Sequence, residues 1–238
     1  MPTSPFPHVP LKNQLLSALA REEYTRLLPD LKQVELPTGK VLFEMADTVM
    51  HAYFPLSGMV SLLAITEAGD TVEIGMVGNE GIVGLPAILR IQKAPYRMMV
   101  QVRGRAVKVR ADSLQDEFNR GGRLQDVLLR YTYMLIMQIS QSVVCNHYHT
   151  VEQRLSRWLL VTCDRVRSNE FHLTQEVISH MLGIPRTNVT MRAGMLQQKG
   201  LIRYGRGKIT IIDPRGLEAA ACECYRMVKE EFRGFLAA

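Results

Sequence analysis

The segment LTQEVISHMLGIPRTNVTMRAGMLQQKGLI, residues 173–202, constrains the fold of this chain more than any other stretch. Thr174 is a favoured N-cap in front of apolar residues at helical spacing, and Gly183 ends that helix after about two turns. Pro185 suits the first turn of a second helix, which continues to Gly200. The pattern therefore predicts two short helices joined by a tight turn, as in a helix-turn-helix unit.

The second predicted helix has a polar surface near its N-terminal end. Its buried stripe is Val189, Ala193 and Leu196, which leaves the arginine, threonine and asparagine side chains exposed. A helix fits the DNA major groove, where arginine bridges guanine O6 and N7 and asparagine bridges adenine. The expected base readers are Arg186, Thr187, Asn188 and Thr190, with Met191 on the same surface.

A basic hairpin is predicted to follow these helices. The stretch LIRYGRGKITII, residues 201–212, has the pattern of two strands around a Gly-Arg-Gly turn. Together the elements form a predicted winged helix-turn-helix. The expected phosphate contacts are Thr174, Arg206 and Lys208, and Gln175 and Arg203 complete the predicted DNA-binding set.

Positive charge is concentrated in the C-terminal part of the chain. Residues 1–149 hold 15 lysines and arginines against 14 acidic residues, whereas residues 150–238 hold 14 against 9. No acidic residue lies between Glu176 and Asp213, although six basic residues do. Such a one-sided field attracts polyanions, which favours double-stranded DNA as the partner. The alternative is a ligand-binding or scaffolding module whose basic domain binds RNA or an acidic protein.

The N-terminal half is predicted to be a β-roll. After a short helix near residues 13–28, short apolar runs between Gly, Pro and Asp turns fill residues 34–109, which is typical of a β-sandwich or jelly-roll. The fold class is therefore α+β, with a jelly-roll sensor domain over residues 1–121.

One long helix is predicted over residues 122–149, because apolar residues recur there without glycine or proline after Gly122. Its apolar surface is wide enough to pack on the roll and on a second copy, so a homodimer is expected. Thr150 and Gln153 form a capping-box pattern that begins a new helix, and the DNA-binding domain is assigned to residues 150–238. Its last helix, begun by Asp213 and Pro214, is expected to pack against that domain.

The cellular compartment follows from what the sequence lacks. There is no apolar stretch of bilayer length and no signal-peptide pattern, so we expect a soluble cytoplasmic protein without a membrane partner. The four cysteines, Cys145, Cys163, Cys222 and Cys224, are sparse enough to indicate reduced thiols rather than disulfides.

Residues 27–212 resemble the cyclic AMP receptor protein and fumarate-nitrate regulator (Crp/Fnr) superfamily of bacterial transcription factors. The resemblance rests on PTGKVLFEMAD, YFPLSGMVSLL, GNEGIVGLPAIL, VEQRLSRWLL and the winged helix-turn-helix. It implies a sensor roll, a dimerising helix, a pseudo-palindromic DNA site and RNA polymerase as a partner. The family's recognition helix opens Ser-Arg-Glu-Thr-Val; here Arg186 is kept, but Thr187 replaces the glutamate.

The same resemblance identifies four candidate effector residues, Gly84, Leu85, Arg97 and Ser140. Family members that bind cyclic nucleotides carry a Gly-Glu pair for the ribose and an Arg-Ser or Arg-Thr pair for the phosphate. Here Leu85 follows Gly84, and Met98 follows Arg97. Because a buried charged ligand requires those polar partners, cyclic AMP is not expected to bind, and the effector stays unassigned.

Cofactors and metals are not expected. No cysteine precedes Cys145, which disfavours the family's N-terminal iron-sulfur cluster. Residues 1–120 contain only His8 and His51, too few for a cupin-like metalloenzyme, and no catalytic cluster is evident. Cys145 and His149 share a helix face and could join a second copy in binding zinc, but an ordinary helix end is favoured. Cys222 and Cys224 are expected to be structural, without further ligands nearby.

Overall fold

The computed structural model describes residues 12–237, so His8 lies outside the described part. The predicted order of β-sheet domain, long helix and winged helix-turn-helix domain is confirmed. The elements before the long helix are α1 (Gln14–Ser17), α2 (Arg21–Leu27), a 3-10 helix (Leu28–Asp30), β1 (Lys32–Leu36), β2 (Val41–Phe43), β3 (His51–Ile65), β4 (Thr71–Val77), a 3-10 helix (Leu85–Ala87), β5 (Arg97–Arg110) and α3 (Ala111–Asn119).

The prediction of a single helix near residues 13–28 is wrong, because the chain forms α1 and α2 there. Ala20 adopts an extended conformation and acts as the N-cap of α2. Its backbone N–H donates to Glu23 Oε2 at 3.1 Å, which satisfies a donor that a continuous helix would have paired internally. Helix α3, between the roll and the long helix, was not predicted.

The sensor sheet is antiparallel, with strand order β1-β5-β3-β4, and β2 also pairs with β5. The pairing of the long strands β3 and β5 shifts register at three places, and such bulges bend a sheet into a roll. Apolar side chains on its inner side, including Phe54 and Val100, pack with Leu124 and Leu128 of the long helix. The long helix therefore covers the inner side of the sheet and completes the sensor core.

The long helix, α4 (Arg123–Tyr148), and the next helix, α5 (Val151–Val166), meet at Thr150. Thr150 Oγ1 accepts from Gln153 N at 3.3 Å, and Gln153 Oε1 accepts from Thr150 N at 3.0 Å. The predicted capping box is thus present. It satisfies backbone donors at the start of α5 and fixes where one helix ends and the next begins.

The C-terminal domain is a helical unit with a three-stranded antiparallel sheet of order β6-β8-β7. Its core contains Trp158, Ile178, Val189 and Leu196. Strand β6 was not predicted from the sequence. The elements after α5 are β6 (Glu170–His172), α6 (Gln175–Leu182), α7 (Arg186–Gln198), β7 (Ile202–Gly205), β8 (Lys208–Ile211), α8 (Pro214–Ala220) and α9 (Cys224–Ala237).

The last helix, α9, lies against α4 and α5. Val228 and Phe232 of α9 are buried in the sensor core. The single helix predicted from Asp213 is two helices in the structure. Helix α8, which Asp213 caps, packs on α5 of the DNA-binding domain as expected, whereas α9 also reaches the sensor. Across residues 12–237, the helices lack an apolar stretch long enough to span a bilayer.

Candidate nucleic-acid interface

The turn between α6 and α7 is held by local hydrogen bonds. Thr174 Oγ1 accepts from Val177 N at 3.2 Å, as the N-cap prediction requires. Gly183 ends α6 in the left-handed conformation, with φ at 60°. Ser179 Oγ then donates to the carbonyl oxygen of Ile184 at 2.6 Å, which ties the end of α6 to the start of α7. The two helices consequently form a fixed corner.

Helix α7 is buried on one side and exposed along its N-terminal half on the other. Val189 and Leu196 are fully buried. Arg186, Thr187, Thr190 and Met191 are exposed, and Asn188 is half-buried. The predicted base-reading side chains are therefore accessible to a ligand that lies along α7.

A groove separates the first turns of α6 and α7 from the hairpin of β7 and β8. It brings together four predicted residues, Thr174, Gln175, Arg186 and Arg206. Thr190 extends this group, because its Oγ1 donates to Gln175 Oε1 at 2.7 Å. The full lining is Thr174, Gln175, Glu176, Arg186, Tyr204, Gly205, Arg206 and Gly207.

Two side chains of the groove were missed by the sequence analysis. Glu176 is exposed in the first turn of α6. The Tyr204 hydroxyl donates to the carbonyl oxygen of Leu173 at 3.0 Å. Burial raises the pKa of Tyr204, and the nearby positive charge of Arg186 opposes that rise. The alternation of β7 could have identified Tyr204, since it shares the inward face with Ile202.

The predicted hairpin has a two-residue turn formed by Arg206 and Gly207. Their φ values are 52° and 73°, which is the left-handed pair that a type I′ turn requires. This turn matches the twist of the two strands and places the exposed Arg206 at the tip. An arginine in this conformation costs more than glycine, which has no Cβ to crowd the backbone, and more than asparagine, whose short polar side chain can hydrogen-bond locally.

The stretch between Glu176 and Asp213 contains no acidic residue, but acidic side chains from other segments lie next to it in the fold. Lys208 Nζ lies 2.6 Å from Glu170 Oε1, and Lys199 Nζ lies 2.5 Å from Glu152 Oε1. Arg203 is exposed, but it lies on the face of β7 opposite Tyr204 and does not line the groove. The positive charge within the groove therefore comes from Arg186 and Arg206.

Both halves of this fold match known domains. A family model described as the Crp-like helix-turn-helix domain matches residues 153–220, and one described as the cyclic nucleotide-binding domain matches residues 33–120. The chain belongs to the Crp/Fnr family. It is thus a transcription regulator of the Crp/Fnr type.

Its relatives span nearly the same length. Global nitrogen regulators of Nostoc sp. strain PCC 7120 and Synechocystis sp. strain PCC 6803 are each 21% identical to it, over 85% of this chain and 95% and 93% of theirs. The structure of FixK2 from Bradyrhizobium japonicum has a TM-score of 0.69 at 13% identity and covers 81% of this chain and 98% of its own. TTHA1359, a Crp/Fnr-family regulator from Thermus thermophilus, has a TM-score of 0.65 at 21% identity, over 80% of this chain and 98% of its own.

The four candidate effector residues of this Crp/Fnr protein do not form one polar site. Gly84 has φ at 101° and precedes Leu85, which is buried. Arg97 Nε donates to Glu44 Oε2 at 2.7 Å, so an acidic partner already faces that guanidinium. Ser140 is exposed on α4. No hydrogen bond within residues 12–237 joins any two of the four.

Helix α4 of the Crp/Fnr chain carries a second apolar stripe that faces away from its own sensor. Its members are spaced alternately by four and three residues, the repeat of a coiled-coil seam. Tyr133 is 57% exposed, Ile136 56% and Val143 66%. In order the stripe contains Leu129, Tyr133, Ile136 and Val143, and the polar Ser140 occupies the position between the last two.

The expectation that Cys222 and Cys224 have no ligand-type neighbours is wrong. The connection from α8 to α9 folds back onto the end of α4, and the side chains of Cys145, His149, Cys222 and Cys224 meet there. Their potential ligand atoms all lie within 4.8 Å of one another. The shared helix face of Cys145 and His149 was predicted, but the other pair comes from residues about 75 positions later in the chain.

Proposed function

We propose that the protein is a homodimer that binds a pseudo-palindromic DNA site, with α7 in the major groove. The observation that supports this most strongly is the groove between α6, α7 and the hairpin. Arg186 lies at its helical side and Arg206 at its hairpin side. A phosphate backbone that follows the groove would pass beside Arg206, while Arg186 and the rest of the first turns of α7 reach the base edges.

The contacts divide into two classes. Arg186, Thr187, Asn188 and Thr190 project from the first turns of α7, and they are the proposed base readers. Thr174 and Gln175 lie at the N-terminus of α6, where free backbone N–H groups favour phosphate. Arg206 and Lys208 are also proposed phosphate contacts, but Lys208 must first exchange Glu170 for DNA.

The exposed stripe of α4 supports the dimer. Two copies packed along Ile136 and Val143 would remove both from water, and the two-fold axis would pair two α7 helices. Helix-turn-helix dimers bind two half-sites whose centres are about 34 Å apart, one turn of DNA. The dimer then matches a site whose two halves are inverted copies.

The sensor is proposed to respond to something other than cyclic AMP. The apolar Leu85 supplies no carboxylate for a ribose, and Glu44 competes for Arg97. An effector would act by shifting the balance between two arrangements of the domains about Thr150. Calorimetric titration with cyclic AMP is expected to give no heat of binding, and DNA affinity is expected to be unchanged by the nucleotide.

Selection from random duplexes, followed by competition binding at fixed salt, tests the function. The selected duplex is expected to bind roughly a thousandfold or more tightly than random DNA. Arg186→Ala is expected to cost about 1–3 kcal/mol and to relax preference at one base position. Arg226→Ala, on the exposed side of α9, is the matched control and is expected to bind normally.

Equal affinity for every duplex would contradict the proposal. Tighter binding of RNA or of an acidic protein than of any duplex would favour the scaffolding alternative. Run-off transcription with RNA polymerase on the selected site then shows whether the bound dimer raises or lowers initiation.

A further inference from the structure

Three thiols and one imidazole converge where α4 ends and α9 begins. Cys145, Cys222 and Cys224 are each at most 3% exposed, and the His149 side chain is 11% exposed. The fourth cysteine of the chain, Cys163, lies apart from them and donates to Asn169 instead. A buried set of this composition matches the ligands of structural zinc sites, which take four sulfur or nitrogen atoms.

The separations suit a tetrahedral ion. The Cys145 and Cys222 sulfurs are 3.5 Å apart, and the Cys224 sulfur is 3.4 Å from His149 Nδ1. Tetrahedral bonds of about 2.3 Å to sulfur and about 2.0 Å to nitrogen place neighbouring ligand atoms about 3.5–3.8 Å apart. The widest separation within the cluster is no more than 4.8 Å. Side-chain movements of less than about 1 Å would therefore bring the four atoms onto one ion.

The orientation of the imidazole is set from outside the cluster. His149 Nε2 lies 3.1 Å from Glu223 Oε1, so the carboxylate accepts the Nε2 proton and leaves the Nδ1 lone pair directed at the thiols. A carboxylate behind a histidine is the usual partner of a zinc-binding imidazole, since it fixes the tautomer. Gln141 Nε2 also donates to the Cys224 sulfur at 3.0 Å, a contact that favours a thiolate.

The surrounding charge also favours an anionic centre. Zinc with three thiolates and one neutral imidazole carries a net charge of about −1. Arg157 is 7% exposed, and the Nε atoms of Arg154 and Arg157 have no hydrogen-bond partner within residues 12–237. The buried Arg157 and the half-buried Arg154 would gain a counter-charge from a zinc-thiolate centre that a cluster of neutral thiols does not supply.

We propose that Cys145, His149, Cys222 and Cys224 bind one Zn²⁺ per chain, with Glu223 holding His149 in the binding orientation. On binding, the metal replaces the thiol protons, which are released to solvent. Cys145 and His149 lie at the end of α4, just before Thr150; Cys222 lies in the connection from α8 to α9, and Cys224 is the first residue of α9. The ion therefore fastens the C-terminal helix to the junction of the sensor and DNA-binding domains.

Metal analysis of the full-length protein, purified with reductant and without added zinc, tests the site independently of DNA binding. One zinc per chain is expected in the wild type and in Cys163→Ser, and less than about a tenth of that in Cys145→Ser. Cobalt titration of the demetallated wild-type protein is expected to saturate at one ion per chain, with the intense absorption of a tetrahedral cobalt-thiolate centre.

A milder variant covers the case in which Cys145→Ser fails to fold. Glu223 is exposed enough for Glu223→Gln to keep the fold, and this change is expected to weaken zinc binding about 10–100-fold in competition with a chelator. Glu230→Gln, an exposed change on α9, is the matched control and is expected to bind zinc like the wild type.

Three results would overturn the proposal. The first is a reduced wild-type protein that neither contains zinc nor takes up cobalt. The second is saturation at half an ion per chain without dependence on Cys222 and Cys224, which would indicate a site shared between two copies. The third is a Cys145–Cys222 disulfide whose reduced form binds no metal.

Discussion

Trp158 Nε1 donates a hydrogen bond to Glu73 Oε1 at 2.8 Å, and this contact joins α5 of the DNA-binding domain to β4 of the sensor. Ser61 Oγ donates to the other carboxylate oxygen at 2.5 Å. Glu73 is only 8% exposed. Burial raises the pKa of Glu73 from 4.5 to about 7, while the two donors and Arg157 oppose that rise.

This carboxyl is expected to make stability fall as the pH rises. Because the folded protein holds the proton more tightly than the unfolded chain, the contribution is fully present below pH 4.5 and is lost as the pH passes 7. The shift corresponds to about 3 kcal/mol. Urea unfolding of the wild type and Glu73→Gln between about pH 5 and about pH 8 measures it. Glutamine should flatten the profile, and an equal slope in both proteins would contradict the assignment.

Arg165 is expected to be the strongest single connection between the domains. Its Nε lies 3.3 Å from Glu80 Oε1, an Nη donates to Gln138 Oε1 at 3.0 Å, and its guanidinium lies 4.3 Å from the centre of the Phe232 ring. Arg165→Ala should lower the free energy of unfolding by about 3–5 kcal/mol, because it leaves a buried carboxylate unpaired. Denaturant unfolding tests this.

The companion experiment to Arg165→Ala is the double change Arg165→Met with Glu80→Gln. It removes both charges and should recover much of the loss. If the double variant is no more stable than Arg165→Ala, the ion pair is not the cause of the destabilisation.

Arg206 is expected to trade hairpin stability for DNA affinity. Arg206→Asn should stabilise the domain by about 0.5–1 kcal/mol, since asparagine tolerates the left-handed conformation better. The same change should weaken DNA binding and lower the slope of log affinity against log salt by about 1. Thermal unfolding and salt-dependent binding measure the two effects. Arg206→Lys, which keeps the charge, should keep the slope; a slope unchanged in Arg206→Asn would remove Arg206 from the phosphate contacts.

The proposed dimer makes Ile136 a sensitive position. Ile136→Glu would bring two carboxylates together across the seam, which costs several kcal/mol and should weaken dimerisation at least about a hundredfold. Sedimentation equilibrium measures the association, and binding to the full palindrome should fall with it. Ile136→Leu keeps the apolar surface and serves as the control. An unaltered dimer in Ile136→Glu would exclude this face of α4 as the interface.

The winged helix-turn-helix was predictable because the sequence signals that form it act between neighbouring residues. The Thr174 cap, the Gly183 stop and the Gly-Arg-Gly turn each act within a few residues, so the sequence pattern and the fold agree there. Contacts between distant segments were not predictable in this way. The pairing of Lys208 with Glu170 depends on how β6 and β8 are aligned, and β6 is only three residues long.

The cysteine cluster shows the same limit more sharply. Cys145 and Cys222 are separated by 77 positions, and only the path of α8 and α9 brings them together. Their spacing within the chain has no metal-binding motif, because the two halves, Cys145 with His149 and Cys222 with Cys224, are each too short to define one. The packing of α9 against the sensor could not be predicted from the sequence either, since the pattern of an amphipathic helix does not show which surface the helix covers.

Val228 and Phe232 pack in the sensor core, so the C-terminal helix adds a further attachment between the DNA-binding domain and the sensor, besides Trp158–Glu73 and Arg165–Glu80. A DNA-binding domain connected to the sensor only through Thr150 could rotate freely about that residue. Here α9, at the end of the chain, also packs against the sensor of the same chain. Any large rotation of the DNA-binding domain must either move α9 with it or expose the apolar side chains of Val228 and Phe232 to water. A movement in which the sensor, the DNA-binding domain and α9 shift together therefore costs less free energy.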